Sequence, residues 1–312
     1  MKKYFSTTFL LLFLPVFVFC QNSEKYYLQS REKTKQKKYS EALTLINKAI
    51  NENKDSAKYF YQRAELDIAF KKWQEFYADI NQAIYLNENY ADAYMLRGDI
   101  LERARQYYDA IKAFNMAITV ARVDSVKYWA YLGRAGSKWK MRNFEEAYND
   151  YSEALKYDSI KPNAYIGMGN CLDDLGKPEE SMKLLLKAYY LDTTQSGPLV
   201  SIAYQLGKRG DYKGAIEYAN KAIVKDSKNA RALNNRGFAK CKLGDYEGAL
   251  KVINESLKYF PRNSYAYKNR ALVYIELKKY KKACKDLDKA LKLGFTENYG
   301  NEVIELQAKY CN

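Results

Sequence analysis

The chain of 312 residues carries 52 basic and 37 acidic side chains, a formal charge of +15, and is 47% hydrophobic with 31 tyrosines. That much apolar and aromatic surface excludes a disordered chain. It contains no histidine, which removes the commonest general base and metal ligand. It also has no Cys-x-x-Cys pair, which leaves dithiol redox chemistry and structural zinc without support.

The first element is a basic start at Lys2-Lys3, an apolar run from Phe9 to Phe19 broken by Pro15, and a polar exit at Gln21-Asn22-Ser23. This order predicts a secretory signal peptide over residues 1–20, since a bilayer span needs about 20 apolar residues in a row. Cleavage is expected after Cys20, with Val18 and Cys20 ahead of the cut. A lipoprotein carrying its lipid on Cys20 is disfavoured by the bulk of Phe19, and an uncleaved anchor is the third reading. The protein is therefore expected to be exported: periplasmic, envelope-associated or secreted.

From Ser23 onward one 34-residue frame recurs, with units starting at Ser23, Ala57, Ala91, Tyr128, Pro162, Ser196, Ala230 and Ser264. Ser125-Val126-Lys127 is the single insertion. Slot 8 of the frame holds Ser30, Ala64, Gly98, Ala135, Gly169, Ala203, Gly237 and Ala271, all small. Slot 27 is small in every unit as well, from Ala49 to Ala290, and slot 20 is small except at Phe76. Two helices approach to about 8–10 Å only where their contact residues are small, so the pattern predicts a helical hairpin per unit. Slot 17 is aromatic except at Pro178, and slot 28 is apolar throughout. Gly176-Lys177, Gly210-Asp211 and Gly244-Asp245 supply turns between the two helices, with each Asp a candidate N-cap.

This spacing of small, aromatic and apolar residues resembles the tetratricopeptide repeat family, whose unit is two helices in 34 residues. The resemblance covers residues 23 to about 297. It implies an all-α, right-handed α-solenoid of about eight units, spanning residues 21–297, with residues 298–312 as a cap. Two departures stand out: the proline that ends a unit occurs only as Pro261, and the turn glycine is missing from several units. Arg63, Arg97, Arg134, Arg236 and Arg270 also take slot 7, where the family more often has an aliphatic residue.

Glu302 to Cys311 reads as one further amphipathic helix, and a repeat array needs a terminal cap over its last open face. Cys284 sits at slot 21, apolar in the other units, and should face that cap. Antiparallel packing would bring Cys311 beside it, leaving either a disulfide suited to an oxidising compartment or two buried thiols. Cys171 and Cys241 lie two units apart and too distant to bridge.

No catalytic constellation, cofactor site or metal site emerges. Gly167-x-Gly169 lacks the third glycine of a dinucleotide loop and lies within a helix. The carboxylate pairs Asp173-Asp174 and Asp286-x-Asp288 read as solvated helix faces. An enzyme is therefore not expected.

The family's first helices line a concave groove at slots 2, 5, 9, 12 and 13. On the fourth unit these slots place Trp129, Leu132, Trp139 and Lys140 in the groove, and on the fifth Asn163, Ile166, Asn170, Asp173 and Asp174. Tryptophan is enriched among interface hot spots, although either ring could instead pack between units. Aromatic residues flanked by acidic ones suggest a partner segment of basic and apolar character. The carboxylate clamp of some relatives has only a partial echo in Asn170, Arg231 and Asn235, with Ile166 where the first lysine would stand.

From Ser201 to the end, 23 basic residues face 12 acidic ones. Lys281, Lys285, Lys289 and Lys292 form a stripe on one second helix, with Lys251 and Lys258 sharing its orientation. Such a stripe usually keeps a helix solvated; weak contact with an anionic envelope surface is the sharper reading. The sequence therefore points to an adaptor that holds a protein or peptide in its groove. The alternative is a helical repeat that binds nucleic acid or another anionic polymer, and export weighs against nucleic acid. No motif specifies an oligomeric state.

Overall fold

The structure is a computed structural model that describes residues 14–311. The expected signal segment lies outside the described residues as far as position 13. The described residues form helices and no strand, and the chain divides into two compact units, Met1–Arg134 and Ala135–Asn312.

The first unit holds α1 (Leu14–Lys35), α2 (Tyr39–Glu52), α3 (Ala57–Phe70), α4 (Trp73–Leu86), α5 (Ala91–Arg103) and α6 (Tyr107–Val120). The boundary falls within α7 (Asp124–Lys140). The second unit continues with α8 (Phe144–Ala154), α9 (Pro162–Asp174), α10 (Pro178–Leu191), α11 (Gly197–Lys208), α12 (Tyr212–Lys225), α13 (Ala230–Lys242), α14 (Tyr246–Tyr259), α15 (Ser264–Glu276) and α16 (Tyr280–Lys292). It ends with α17 (Phe295–Tyr299) and α18 (Glu302–Tyr310). Odd and even helices through α16 are the first and second helices of successive repeats.

Every second helix opens on slot 17, from Tyr39 to Tyr280. Pro178 fits there because the first helical position needs no backbone N–H. The three inserted residues before Tyr128 are absorbed as an extra turn of α7, which begins at Asp124. Tyr39, Trp73 and Tyr280 are exposed, and Tyr212 lies edge-on to Phe238 of the next repeat at 6.3 Å.

Slots 8, 20 and 27 are buried in all eight repeats, Phe76 included. Where slot 8 is glycine, a large slot-24 side chain fills the space. A Cβ on Gly98 would sit 2.7 Å from the Phe114 ring, one on Gly169 2.9 Å from Leu185, and one on Gly237 2.4 Å from Ile253. Gly133 lies as close to Phe114, since a Cβ there would sit 2.5 Å from the same ring.

Slot 15 turns the chain with a left-handed residue in every repeat. Gly176, Gly210 and Gly244 do so at no steric cost. Lys37, Lys71, Arg105, Arg142 and Lys278 do so as well, at φ between 56° and 65°. All five are basic and lie at or just past a helix C-terminus, where positive charge is favoured. The turn that looks broken in the sequence is therefore intact in backbone and altered only in side chain. The candidate caps also form: Asp211 Oδ1 accepts from the Gly214 N–H and Asp245 Oδ1 from the Gly248 N–H, each at 2.9 Å.

The slot-7 arginines stitch repeats together. Each donates to an asparagine at slot 25 of the preceding repeat: Arg63 to Asn47, Arg97 to Asn81, Arg134 to Asn115, Arg236 to Asn220 and Arg270 to Asn254, at 2.7–3.4 Å. Arg63 and Arg270 also grip Asp79 and Asp286 of their own repeats with two bonds each, at 2.6–2.7 Å.

Beyond α16 the chain closes its last repeat with two short helices where one was expected. Phe295 and Val303 are fully buried in a cluster with Ala283, Leu287 and Ala290. Gly300, at φ 89°, separates α17 from α18. Cys284 and Cys311 are bonded, with Cα atoms 5.6 Å apart. Cys171 and Cys241 are buried free thiols, pushed up by burial to about 12 and about 11.

Candidate binding groove

A helix turns 100° per residue, so slots 2, 5, 9, 12 and 13 share one face of each first helix. In the second unit, α9, α11, α13 and α15 pack directly in succession, which aligns those faces side by side. In the first unit, Trp129 is 43% exposed and lies edge-on to buried Tyr128 at 5.2 Å, with Leu132 half-buried behind it.

The other sequence-predicted groove residues fall in the second unit, where several are already engaged with one another. The Trp139 indole N–H donates to Asp174 Oδ2 at 2.9 Å, and the Lys140 ammonium lies 4.9 Å from the centre of the Trp139 ring. The Lys208 ammonium on the next first helix reaches Asp173 Oδ2 at 2.8 Å. Burial pushes the Asp174 carboxyl above its ordinary range, with the indole bond pulling it partway back. Of the acidic pair that suggested a basic partner, Asp173 is thus ion-paired with Lys208 and Asp174 is hydrogen-bonded by Trp139. Trp139 serves to hold two repeats together. Asn163 and Asn170 differ: both are half-buried, and among the described residues their amides carry no hydrogen bond.

Further along, the sequence reading missed an aromatic run. Tyr204 on α11, at slot 9, lies 6.1 Å from the ring of Tyr265 on α15, two repeats away. Phe295 stacks on Tyr265 at 5.7 Å and Tyr299 meets it edge-on at 5.0 Å. Lys268, at slot 5 of the last repeat, is only 3% exposed. Its ammonium lies 4.4 Å from the Tyr265 ring centre and 3.2 Å from Glu302 Oε1 of α18. Burial pulls that ammonium below its ordinary range, against the opposing pull of Glu302. The cap therefore covers the groove face of repeat 8, and the open stretch of this unit's groove runs over repeats 5 to 7. Two features would have pointed to this end in the sequence: an aromatic at slot 2 and a phenylalanine straight after the glycine that ends α16.

The stripe on α16 lies apart from this groove. Lys281, Lys285, Lys289 and Lys292 are exposed and form no ion pair among the described residues. Asp286 is taken by Arg270, and Asp288 accepts from the Gln307 amide. Among the described residues no cluster of three His, Cys, Asp or Glu side chains is placed to hold a metal ion, and no helix is long and apolar enough to cross a membrane.

Family profiles of the tetratricopeptide repeat match residues 132–198, 230–263 and 264–293. No curated protein sequence matches. Among solved structures, the APC/C hetero-tetramer Cut9–Hcn1 superposes with a TM-score of 0.64 at 17% identity, over 91% of this chain and 54% of that one. The present chain thus spans about half the length of that relative. A tetratricopeptide repeat protein from Parabacteroides merdae matches with a TM-score of 0.59 at 14% identity, over 92% of this chain and 99% of that one. PilW, a type IV pilus biogenesis factor, matches at 0.58 and 17% identity, over 65% of this chain and 92% of that one. At such identities the likeness speaks to fold alone, and it agrees with the eight-fold register, the buried small-residue slots and the profile matches. The chain belongs to the tetratricopeptide repeat family.

Proposed function

We propose that the protein is an exported, non-enzymatic adaptor that holds an extended protein segment against the first helices of repeats 5 to 7. The observation that carries this reading is the pair of amides at Asn163 and Asn170, with no hydrogen bond among the described residues, on the first helix preceding the one that carries the half-exposed ring of Tyr204. An asparagine amide both donates and accepts, so it pairs with the C=O and N–H groups of any extended backbone. Tyr204 and Phe238 offer flat apolar faces for the side chains between. The ion pair of Asp173 with Lys208 is pre-formed and contributes shape rather than charge preference. Export rests on the leader-like residues 1–20 and suits the bridge between Cys284 and Cys311, since disulfides persist in oxidising compartments.

Capture from envelope extracts with the mature protein, followed by mass spectrometry, tests the reading. The wild type should retain a partner that an Asn163→Ala, Asn170→Ala, Tyr204→Ala variant loses. A Trp139→Ala variant should lose stability as well as partner, because it unties Asp174. Identical partner sets for wild type and triple variant would overturn the groove assignment. An amino terminus at Gln21 on protein recovered outside the cytoplasm supports cleavage, and full-length protein in the cytoplasm overturns export.

A second reading has one observation in its favour, the unpaired lysine stripe on α16. It would add weak contact with an anionic envelope surface. Binding to anionic vesicles that falls steeply between about 50 and 200 mM salt supports it, and salt-insensitive or absent binding removes it.

A further inference from the structure

Repeats 2 and 4 place different residues at the same slots of the frame. In repeat 4, slot 11 is Lys138, whose ammonium sits 3.3 Å from Glu146 Oε2 and 2.9 Å from Asp150 Oδ2, at slots 19 and 23. Repeat 2 keeps both carboxylates, as Glu75 and Asp79, but replaces the lysine with Asp67. The result is a pocket of about 340 Å³ with carboxylates at all three slots. Asp67 is 3% exposed, and its Oδ2 has no hydrogen-bond partner. Slots 7 and 11 lie about 200° around the first helix from slot 9, so this pocket is on the other face of α3 from its own slots 2, 5 and 9.

The surrounding charges define what fits. Arg63 on α3 is committed to Asp79, with its remaining bond to Asn47 on α2. Lys72 at the turn and Glu75 on α4 line the pocket, and α2 adds only neutral Leu43 and Asn47. With Arg63 and Asp79 cancelling, Asp67, Glu75 and Lys72 leave a net charge of one negative unit. That is too little for a divalent metal held by carboxylates and suits a single organic cation. The buried carboxylate without a partner is the costly arrangement, and repeat 4 shows the group that relieves it.

We infer that the repeat-2 pocket is a docking site for the primary ammonium of a lysine side chain on a partner protein. The bound ammonium takes the place that Lys138 holds in repeat 4, against Asp67, Glu75 and Asp79. Burial, reinforced by Asp79, pushes the Asp67 carboxyl to about 6. A protonated Asp67 no longer attracts a cation, so binding weakens as pH falls through that value.

Full-length protein with labelled methyl groups at Leu43 and Ala78 would be titrated with Nα-acetyl-lysine methylamide at matched ionic strength. The norleucine analogue, the arginine analogue and free cadaverine serve as comparison ligands. The lysine probe should shift both methyls saturably, bind more tightly than the other three, and weaken at least about tenfold between pH 7.5 and 5. Asp67→Asn keeps the shape while removing a buried charge, and should weaken binding at least about tenfold, as expected when one partner of a buried charge pair is removed. Asp67→Lys should rebuild the repeat-4 arrangement, abolish probe binding and raise Tm. Equal binding of norleucine, unchanged binding by Asp67→Asn, or retained binding by Asp67→Lys would overturn the site. A tighter arginine analogue would overturn the ammonium assignment, and tighter cadaverine would overturn the partner-lysine source.

Discussion

The joints between repeats are of two kinds. Where repeat 1 meets 2, 2 meets 3, 3 meets 4, 6 meets 7 and 7 meets 8, an arginine at slot 7 donates to an asparagine at slot 25 of the preceding repeat. Where repeat 4 meets 5 and 5 meets 6, slot 7 is Met168 or Ile202 and slot 25 is Ser152 or Leu186. Arginine and asparagine thus appear and disappear together. The first kind fixes register by directed bonds between slots 7 and 25; in the second, Met168 and Ile202 have no donor to offer slot 25. The second kind flanks repeat 5, which carries the amides Asn163 and Asn170, and there the repeats are linked instead by Trp139 to Asp174 and by Lys208 to Asp173.

The largest effect should come from breaking a polar joint that a carboxylate backs. Arg270→Ala strips Asp286 of both its bonds at a site where that side chain is 7% exposed. A loss of about 3–4 kcal/mol is expected, read from urea denaturation. Retained stability would mean that Asp286 is held by something other than Arg270.

Overfilling the joint between repeats 3 and 4 comes next. The Phe114 ring lies close against both Gly98 and Gly133. Gly98→Ala should therefore cost about 2 kcal/mol, even after its gain in helix propensity. An unchanged midpoint would show that the ring has room to turn.

Smaller effects test what each kind of repeat tolerates. Lys71→Gly should stabilise by about 1 kcal/mol, because the residue is held at φ 57° where a side chain is strained. Gly244→Ala should destabilise by a similar amount, and equal midpoints for both would contradict the turn geometry. Smallest of all is conversion of one kind of joint into the other. Arg236 has no slot-23 carboxylate behind it, since Val252 stands there, and its Nε is buried without a partner. The double variant Arg236→Met, Asn220→Leu should change stability by less than about 1 kcal/mol. A loss as large as that of Arg270→Ala would show that the pairing itself, rather than the backing carboxylate, holds the joint.

The architecture was legible in the sequence because it depends on size at fixed spacing. Gly98, Ala135 and Ala222 are small where helices touch, and periodicity carries that information without any structure. Relations between side chains were less legible. Arg63 and Asn47 lie 16 residues apart, and only the packing of a first helix on the preceding second helix turns that interval into a contact. The Asp173-Asp174 pair looked like an open acidic patch, because nothing in the chain order announces that Trp139 and Lys208, each about one repeat away, would satisfy it. The cap was legible as a helix, but its cover over Lys268 was not, since Gly300 redirects the backbone between Tyr299 and Glu302. Asp67 reads as one more solvated charge until its slot is compared with that of Lys138.

The most direct test of the adaptor reading is site-specific photo-cross-linking in cells. A photoreactive phenylalanine at Asn170, in the open groove, is compared with one at Lys285, on the lysine stripe of α16. The account predicts a discrete cross-linked partner from position 170 and none of the same mass from position 285. The same product from both positions, or a product from position 285 alone, would contradict it.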